Sequence, residues 1–317
     1  MGVRLDAKDL KILAELDMDA RQSVTSIAKK VGLSKETTNY RIRQLQEKGV
    51  IEGFYAIIDV SKIGYAIHRL MIRFRKTDPE KEKEILDYLK GNKHVGWVVS
   101  IHGNWDMAVL FWARNSFEFR NVYDDFMERY DKYTQKRNLT IITKIRHYKN
   151  NYIFGTEDPT EKIIGEANEV KVGGTDKRIL HMLSKNSRMP TIEIAKSVGV
   201  APNTVKNRIK HLKKKGVIKG FRAKINTGLL GYRHYKVCLD MENMAGQEKV
   251  IQYLKTIPNL IYITEVIGES DLEFEVMFRA EEELSDFLKR LRTECMGLIR
   301  DYEIILTFYE HQVNYLP

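Results

Sequence analysis

Apolar positions in the first fifty residues fall at helical intervals: Ile12, Leu13 and Leu16, then Ile27, Ala28 and Val31, then Ile42 and Leu45 with Thr38 between them. Polar residues fill the gaps, so each group predicts a short helix with one face toward a core. Asp6 stands where it can cap the first helix and Ser34 where it can cap the third. Gly32 stops the second helix at a turn of left-handed backbone, and Gly49 ends the third. Two short helices joined by a glycine turn, with the small Ala28 facing inward, predict a helix-turn-helix. Beyond Phe54 the period changes. Phe54–Ile58 predicts a single strand, followed by strands over Ala66–Phe74, Val95–Ile101, Met107–Trp112 and Leu139–Ile145. Helices carrying Ile85, Leu86 and Leu89, then Val122, Tyr123 and Phe126, interrupt them. The order βαββαβ predicts a ferredoxin-like antiparallel sheet with both helices on one face.

The pattern then occurs a second time. Shifted by 167, residues 5–54 lie on 172–221 without a gap, and twenty of the fifty pairs are identical, Asp9/Asp176, Arg21/Arg188, Gly32/Gly199 and Arg41/Arg208 among them. In the second head Ile194, Ala195 and Val198 precede Gly199, and Val205, Ile209 and Leu212 follow, with Pro202 in the first helical turn. The second sheet unit repeats the strands at Phe221–Ile225, Arg233–Leu239, Leu260–Ile267, Leu272–Phe278 and Ile304–Phe308. Leu272, Phe274, Val276 and Phe278 alternate with Glu273, Glu275 and Met277, which predicts a strand with one buried face. The fold class is therefore α+β, a tandem duplication. Its expected divisions are a helix-turn-helix domain at 1–53, a sheet domain at 54–154, a linker at 155–172, a second helix-turn-helix at 173–220 and a second sheet domain at 221–317.

Charge separates the copies. The chain of 317 residues carries a net +10, yet residues 173–222 hold thirteen Lys/Arg against two acids, while residues 1–54 hold ten against eight. So concentrated a basic segment predicts a polyanionic partner, nucleic acid first. With 43% hydrophobic residues there is material for several cores, and no apolar run is long enough to span a membrane. The two cysteines, Cys238 and Cys295, lack any CxxC companion, which excludes a thiolate zinc site and fits a reducing cytoplasm. No Walker loop, G-x-S-x-G elbow or paired metal histidines occur, so the expectation is a protein without enzymatic activity, metal or cofactor.

The combination Leu5-Asp6, Asp9, Ile12-Leu13, Arg21, Ile27-Ala28, Gly32-Leu33-Ser34, Arg41-Ile42, Leu45, Gly49-Val50-Ile51 and Gly64 ahead of a βαββαβ unit resembles the Lrp/AsnC family of transcriptional regulators, twice over in one chain. The loops Gly103-Asn104-Trp105-Asp106 and Gly268-Glu269-Ser270-Asp271 match the family's Gly-x-x-Asp loop. The resemblance implies sequence-specific binding of double-stranded DNA, pairing through the sheet domains and often amino-acid sensing. Fusion of two protomers implies an internal pseudo-dimer, open to further homo-oligomerisation. The second copy departs from the family in having Ala201-Pro202 where a serine usually caps the recognition helix.

DNA bases meet the face of a recognition helix opposite its core. That face holds Ser34, Lys35, Thr37, Asn39, Tyr40 and Arg43 in the first copy. In the second it holds Asn203, Thr204, Lys206, Asn207 and Lys210, with Lys213 and Lys214 at the helix end. Asparagine can read adenine, arginine and lysine can read guanine, and lysines at a helix end more often meet phosphate. Arg41 and Arg208, beside the core positions, lean toward structural ion pairs. Gly103, Asp106, Gly268 and Asp271 are the candidate effector-binding residues, although an aspartate there can equally serve the turn. The alternative function is a tetrapyrrole enzyme of the siroheme decarboxylase type, which resembles the same fused architecture and would recruit His102, His147 or His311.

Overall fold

A computed structural model describes residues 3–166 and 168–317. The first copy runs α1 (Ala7–Met18), α2 (Val24–Val31), α3 (Lys35–Glu47), β1 (Ile51–Ile58), β2 (Ala66–Phe74), α4 (Pro79–Gly91), β3 (Val95–His102), β4 (Met107–Ala113), α5 (Ser116–Tyr130) and β5 (Thr134–His147). A single turn, α6 (Asn151–Phe154), and a short strand, β6 (Lys162–Ile164), lead to the second copy. That copy runs α7 (Gly174–Lys185), α8 (Thr191–Val198), α9 (Pro202–Lys214), β7 (Ile218–Ile225), β8 (Arg233–Met241), α10 (Gln247–Leu254), β9 (Leu260–Ile267), β10 (Leu272–Phe278), α11 (Glu281–Glu294) and β11 (Ile299–Val313).

Local chemistry sets the head helices. The Asp6 side chain accepts from the backbone N–H groups of Lys8 and Asp9, and Ser34 Oγ accepts from Thr37 N at 3.0 Å. Gly32 and Gly199 take φ of 66° and 75°, so both turns need the left-handed backbone that glycine supplies. The second recognition helix begins on Pro202 with no side-chain cap.

The two copies then build one object. β1 and β7 pair antiparallel, with Phe54 opposite Ala223 and Ala56 opposite Phe221. Each strand of this ribbon lies against the other copy's head: Ala20 N donates to Phe221 O at 3.0 Å, and Ser187 N donates to Phe54 O at 2.9 Å. The sheets join edge to edge in the order β2-β4-β3-β11-β8-β10-β9-β5, and pairing of β5 with β2 closes the ring. Within each copy this is the ferredoxin-like order, and both seams between copies are antiparallel. Helices α4 and α5 cover the outside of one sheet, with Leu70, Ile72, Val109 and Phe126 in the core beneath them. On the other sheet Val237, Leu239, Phe274 and Phe287 form the matching core.

Three expectations need correction. The last strand of each copy is far longer than its apolar run, fourteen residues for β5 and fifteen for β11. Each pairs within its own copy along its first part and crosses to the other copy along the rest. β5 meets β2 and then β9; β11 meets β8 and then β3. The stretch read as a linker contains β6, which extends the sheet on β5 through Ile145 and Ile164. Finally, β10 has both faces buried, with Glu273 at 0% exposure, because its polar side turns into the ring rather than to water.

Candidate functional site

The recognition helices α3 and α9 are held by Ile42 and Leu45, and by Val205, Ile209 and Leu212, all buried. Their outer faces are open. Ser34, Lys35, Thr37, Asn39 and Arg43 are at least partly open to solvent, and Tyr40 is 61% exposed. On α9, Asn203, Lys206, Asn207, Lys210, Lys213 and Lys214 are exposed and Thr204 is half-buried. Lys213 folds its ammonium over the Phe221 ring at 5.5 Å. Arg41 is engaged by Asp6 at 2.7 Å and Asp9 at 2.8 Å, and Arg208 by Asp176 at 3.3 Å. These two arginines tie the third helix of each head to the first.

The heads also grip each other, through residues that the sequence pairing placed in register. Arg21 Nη1 donates to Met189 O at 3.0 Å, and its Nη2 donates to Thr191 Oγ1 at 3.2 Å. Reciprocally, Arg188 Nη1 donates to Ala20 O and, at 3.3 Å, to Gln22 O. The Arg21 guanidinium sits 5.8 Å from the Phe221 ring, and that of Arg188 5.3 Å from the Phe54 ring. One contact breaks the twofold relation: Asp17 of α1 forms a buried ion pair with Arg222 of β7. The matching position on β1 is Tyr55, stacked on Tyr315 at 4.2 Å.

Inside the ring lies a charge network that the sequence pattern did not reveal. Arg69 binds Glu273 through both terminal nitrogens. Lys236 bridges Glu273 at 2.9 Å and Glu275 at 2.8 Å, and His234 Nε2 lies 2.7 Å from Glu275. Burial alone would raise the Glu273 carboxyl; Arg69 and Lys236 beside it hold it down at about 2. The available signal was positional, since Arg69 and Lys236 occupy nearly equivalent places in the two copies.

The network divides two cavities. One, of about 500 Å³, is polar and lined by Asn104, Asp240, Glu269, Asp301 and Glu303, with Arg69 shared. Gly103 lines it, at φ 133°, whereas Asp106, Gly268 and Asp271 do not. Asp106 accepts from Phe74 N at 2.7 Å and Asp271 from Met241 N at 2.8 Å, so each carboxylate fastens the end of the first strand of its own sheet. The other cavity, of about 230 Å³, is mainly apolar and lies beneath the β1–β7 ribbon. Of the three histidines singled out in sequence, His147 lines this cavity; His102 is exposed beside Phe308, and His311 Nε2 lies 2.8 Å from Ser100 Oγ.

A winged helix-turn-helix DNA-binding model matches residues 5–52 and 174–219. The HTH-type transcriptional regulator LrpA of Pyrococcus horikoshii is 31% identical over 142 residues, which is 45% of this chain and 99% of LrpA. The chain belongs to the Lrp/AsnC family. The regulator FL11 of Pyrococcus furiosus is 34% identical over 113 residues, 36% of this chain and 75% of FL11. Each of these Lrp-type relatives aligns over less than half of this doubled Lrp/AsnC chain. A likeness in fold extends over the whole of it. The crystal structure of the siroheme decarboxylase NirDL matches 98% of this chain and 93% of its own, with a TM-score of 0.67 at 15% identity. The expectation that the chain is not an enzyme is overturned by this match, because the same duplicated Lrp-like fold carries a decarboxylase. No helix among the described residues is long and apolar enough to cross a membrane.

Proposed function

We propose that the protein is a transcriptional regulator that binds double-stranded DNA in a sequence-specific way, its two unlike heads reading one non-palindromic site. The observation that supports this reading is the pair of open recognition faces on heads fastened to each other. The side chains of Lys35, Arg43, Lys206 and Lys210 make no hydrogen bond or ion pair among the described residues, so their charges are available to phosphate or base edges. Homodimeric heads read a site that mirrors their symmetry. Here Lys35, Asn39, Tyr40 and Arg43 stand opposite Pro202, Lys206, Asn207 and Lys210, so the half-sites differ. Selection of bound duplexes from a random pool tests the reading: an enriched asymmetric motif is expected. Even recovery of all sequences would replace it with indiscriminate DNA compaction.

A second reading is favoured by one feature: His147 lines the apolar cavity, and its ring nitrogens have no hydrogen-bond partner among the described residues. NirDL has also been crystallised with an iron-uroporphyrin III analogue. A comparable ligand here would place its macrocycle beneath the ribbon. Size opposes it as the cavity stands, since a void of about 150 Å³ accommodates only a benzene and four linked pyrroles would overfill 230 Å³. Titration with an iron tetrapyrrole decides: a saturable absorbance change at one ligand per chain would support this reading, and an unchanged spectrum would remove it.

A further inference from the structure

The two recognition helices share one register, so the same position on each stands farthest from its core. Thr38, Ile42 and Leu45 are the buried positions of α3, and Val205, Ile209 and Leu212 are those of α9. At about 100° per residue, the direction opposite these sets falls on Tyr40 in α3 and on Asn207 in α9. Glu36 and Arg43 flank the first, Asn203 and Lys210 the second. A side chain at that pole reaches deepest into a groove on which the helix is laid. The two heads therefore carry unlike chemistry at the points best placed to meet base edges.

Tyr40 is 61% exposed, and its side chain makes no hydrogen bond or ring contact among the described residues. Among those residues no other large hydrophobic side chain is exposed on either recognition helix. The ring thus contributes little to the fold of the head while keeping an apolar face in water. Asn207 is exposed as well, and its amide keeps its donors and its acceptor unspent. Glu36, one turn before Tyr40 on the same face, repels phosphate and the acceptor edge of guanine alike. In the major groove one base presents a hydrocarbon group, the C5-methyl of thymine, and an apolar side chain meets it favourably. A carboxamide matches adenine instead, donating to its N7 and accepting from its N6 amino group.

We propose that Tyr40 and Asn207 set the base preferences of the two half-sites: Tyr40 packs its ring on a thymine methyl in one, and Asn207 hydrogen-bonds an adenine in the other. This inference rests on the reading of the protein as a sequence-specific DNA binder and adds which base chemistry each head selects. The contact belongs to the tyrosine ring and not to its hydroxyl, so phenylalanine serves equally. Burying one methyl group corresponds to roughly fourfold in affinity, and losing one of the two adenine hydrogen bonds to roughly five- to tenfold.

The test uses the full chain and the duplex motif selected from a random pool, with changes of single groups made in the DNA. Deoxyuridine in place of thymidine removes only the methyl, and 7-deazaadenine in place of adenine removes the N7 acceptor. Wild type should lose roughly fourfold at one thymine of one half-site and roughly five- to tenfold at one adenine of the other. Tyr40→Ala should no longer distinguish thymine from uracil, whereas Tyr40→Phe should retain the whole thymine effect. Asn207→Ala should lose the 7-deazaadenine effect and keep the thymine one. Both side chains are exposed, so thermal melts of the variants should match wild type, and the scan of modified duplexes with wild type requires no variant at all. A motif without a methyl-sensitive thymine, a Tyr40→Ala protein that still distinguishes thymine from uracil, or an Asn207→Ala protein that still senses 7-deazaadenine would overturn the inference and leave the DNA reading standing. A pool that yields no motif would remove the DNA reading itself, and this inference with it.

Discussion

Glu273, fully buried against two cations, shows how far a single residue can mislead a reading of pattern. Its strand alternates, and alternation ordinarily means one face in water. The partner that reverses this, Arg69, lies 204 residues away along the chain. Asp6, Ser34 and Gly32 were legible because each answers to neighbours within a few residues. The interior charges have a consequence in acid. Glu273 titrates at about 2 when folded, against an ordinary 4.5, so its contribution is present above 4.5 and lost as pH falls toward 2. His147 sits at about 3 against 6.5, and burial lowers His68 and His311 as well. A histidine kept neutral only in the fold contributes fully above pH 6.5 and progressively less below it. The thermal midpoint should therefore decline below pH 6.5 and more steeply below 4.5, with His147→Phe flattening the upper part. A midpoint constant from 6.5 to 4.5 would contradict this. Glu273→Gln leaves Arg69 and Lys236 short of a counter-charge, and should destabilise the fold by roughly 3–5 kcal/mol in denaturant melts.

Among elements, the recognition helices carry the contrast between the copies. Charge counted along the sequence assigned the second head the stronger phosphate attraction, and the structure refines which charges take part. Lys213 is drawn onto Phe221, and Arg41 is committed to Asp6 and Asp9. Neutralising Lys206, Lys210 and Lys214 should lower the slope of log affinity against log salt by roughly 0.9 for each phosphate that the protein no longer neutralises. Neutralising Lys35 and Arg43 should lower it less. Equal reductions would mean that the excess charge of the second head faces away from DNA. The strands teach a different lesson about legibility. The central strands β2, β4, β8 and β10 matched their apolar runs, since one core decides their length. β5 and β11 did not, because their second parts are paired by the other copy and carry Lys144, Arg146, Glu310 and Gln312, which no periodic rule assigns to a strand.

For the whole molecule, the decisive feature is that the heads are fastened twice, by the ribbon and by the reciprocal arginines. A fastened pair fixes the distance between its recognition helices, and the spacing of half-sites follows from that geometry. Replacing both Arg21 and Arg188 with alanine removes one fastening and leaves the recognition faces intact. The variant should retain the selected motif yet tolerate one or two base pairs inserted between half-sites, where wild type loses most of its affinity. Band-shift titration on the spaced duplexes measures this, and equal intolerance in both proteins would show that the ribbon alone sets the spacing. The duplication itself was legible from twenty identities in fifty, whereas the closure of two sheets into one ring was not. Ring closure depends on edges meeting across the copies, and a sequence displays faces more clearly than edges.

Ring closure also sets a timetable for synthesis. β3 and the second part of β5 are finished when the first copy leaves the ribosome, but their partners β11 and β9 belong to the second. At roughly 5–20 residues per second the growing chain carries these open edges for on the order of ten to thirty seconds. During that interval the nearest matching edges belong to the same half on a neighbouring ribosome of the same message. A chain of residues 1–154 released on its own should accordingly recover as a self-paired dimer by light scattering, and a monomer would show that the edges wait unpaired. Translation speed through the second copy, rather than protein concentration, would then govern how many chains close upon themselves and how many are caught joined to a sibling.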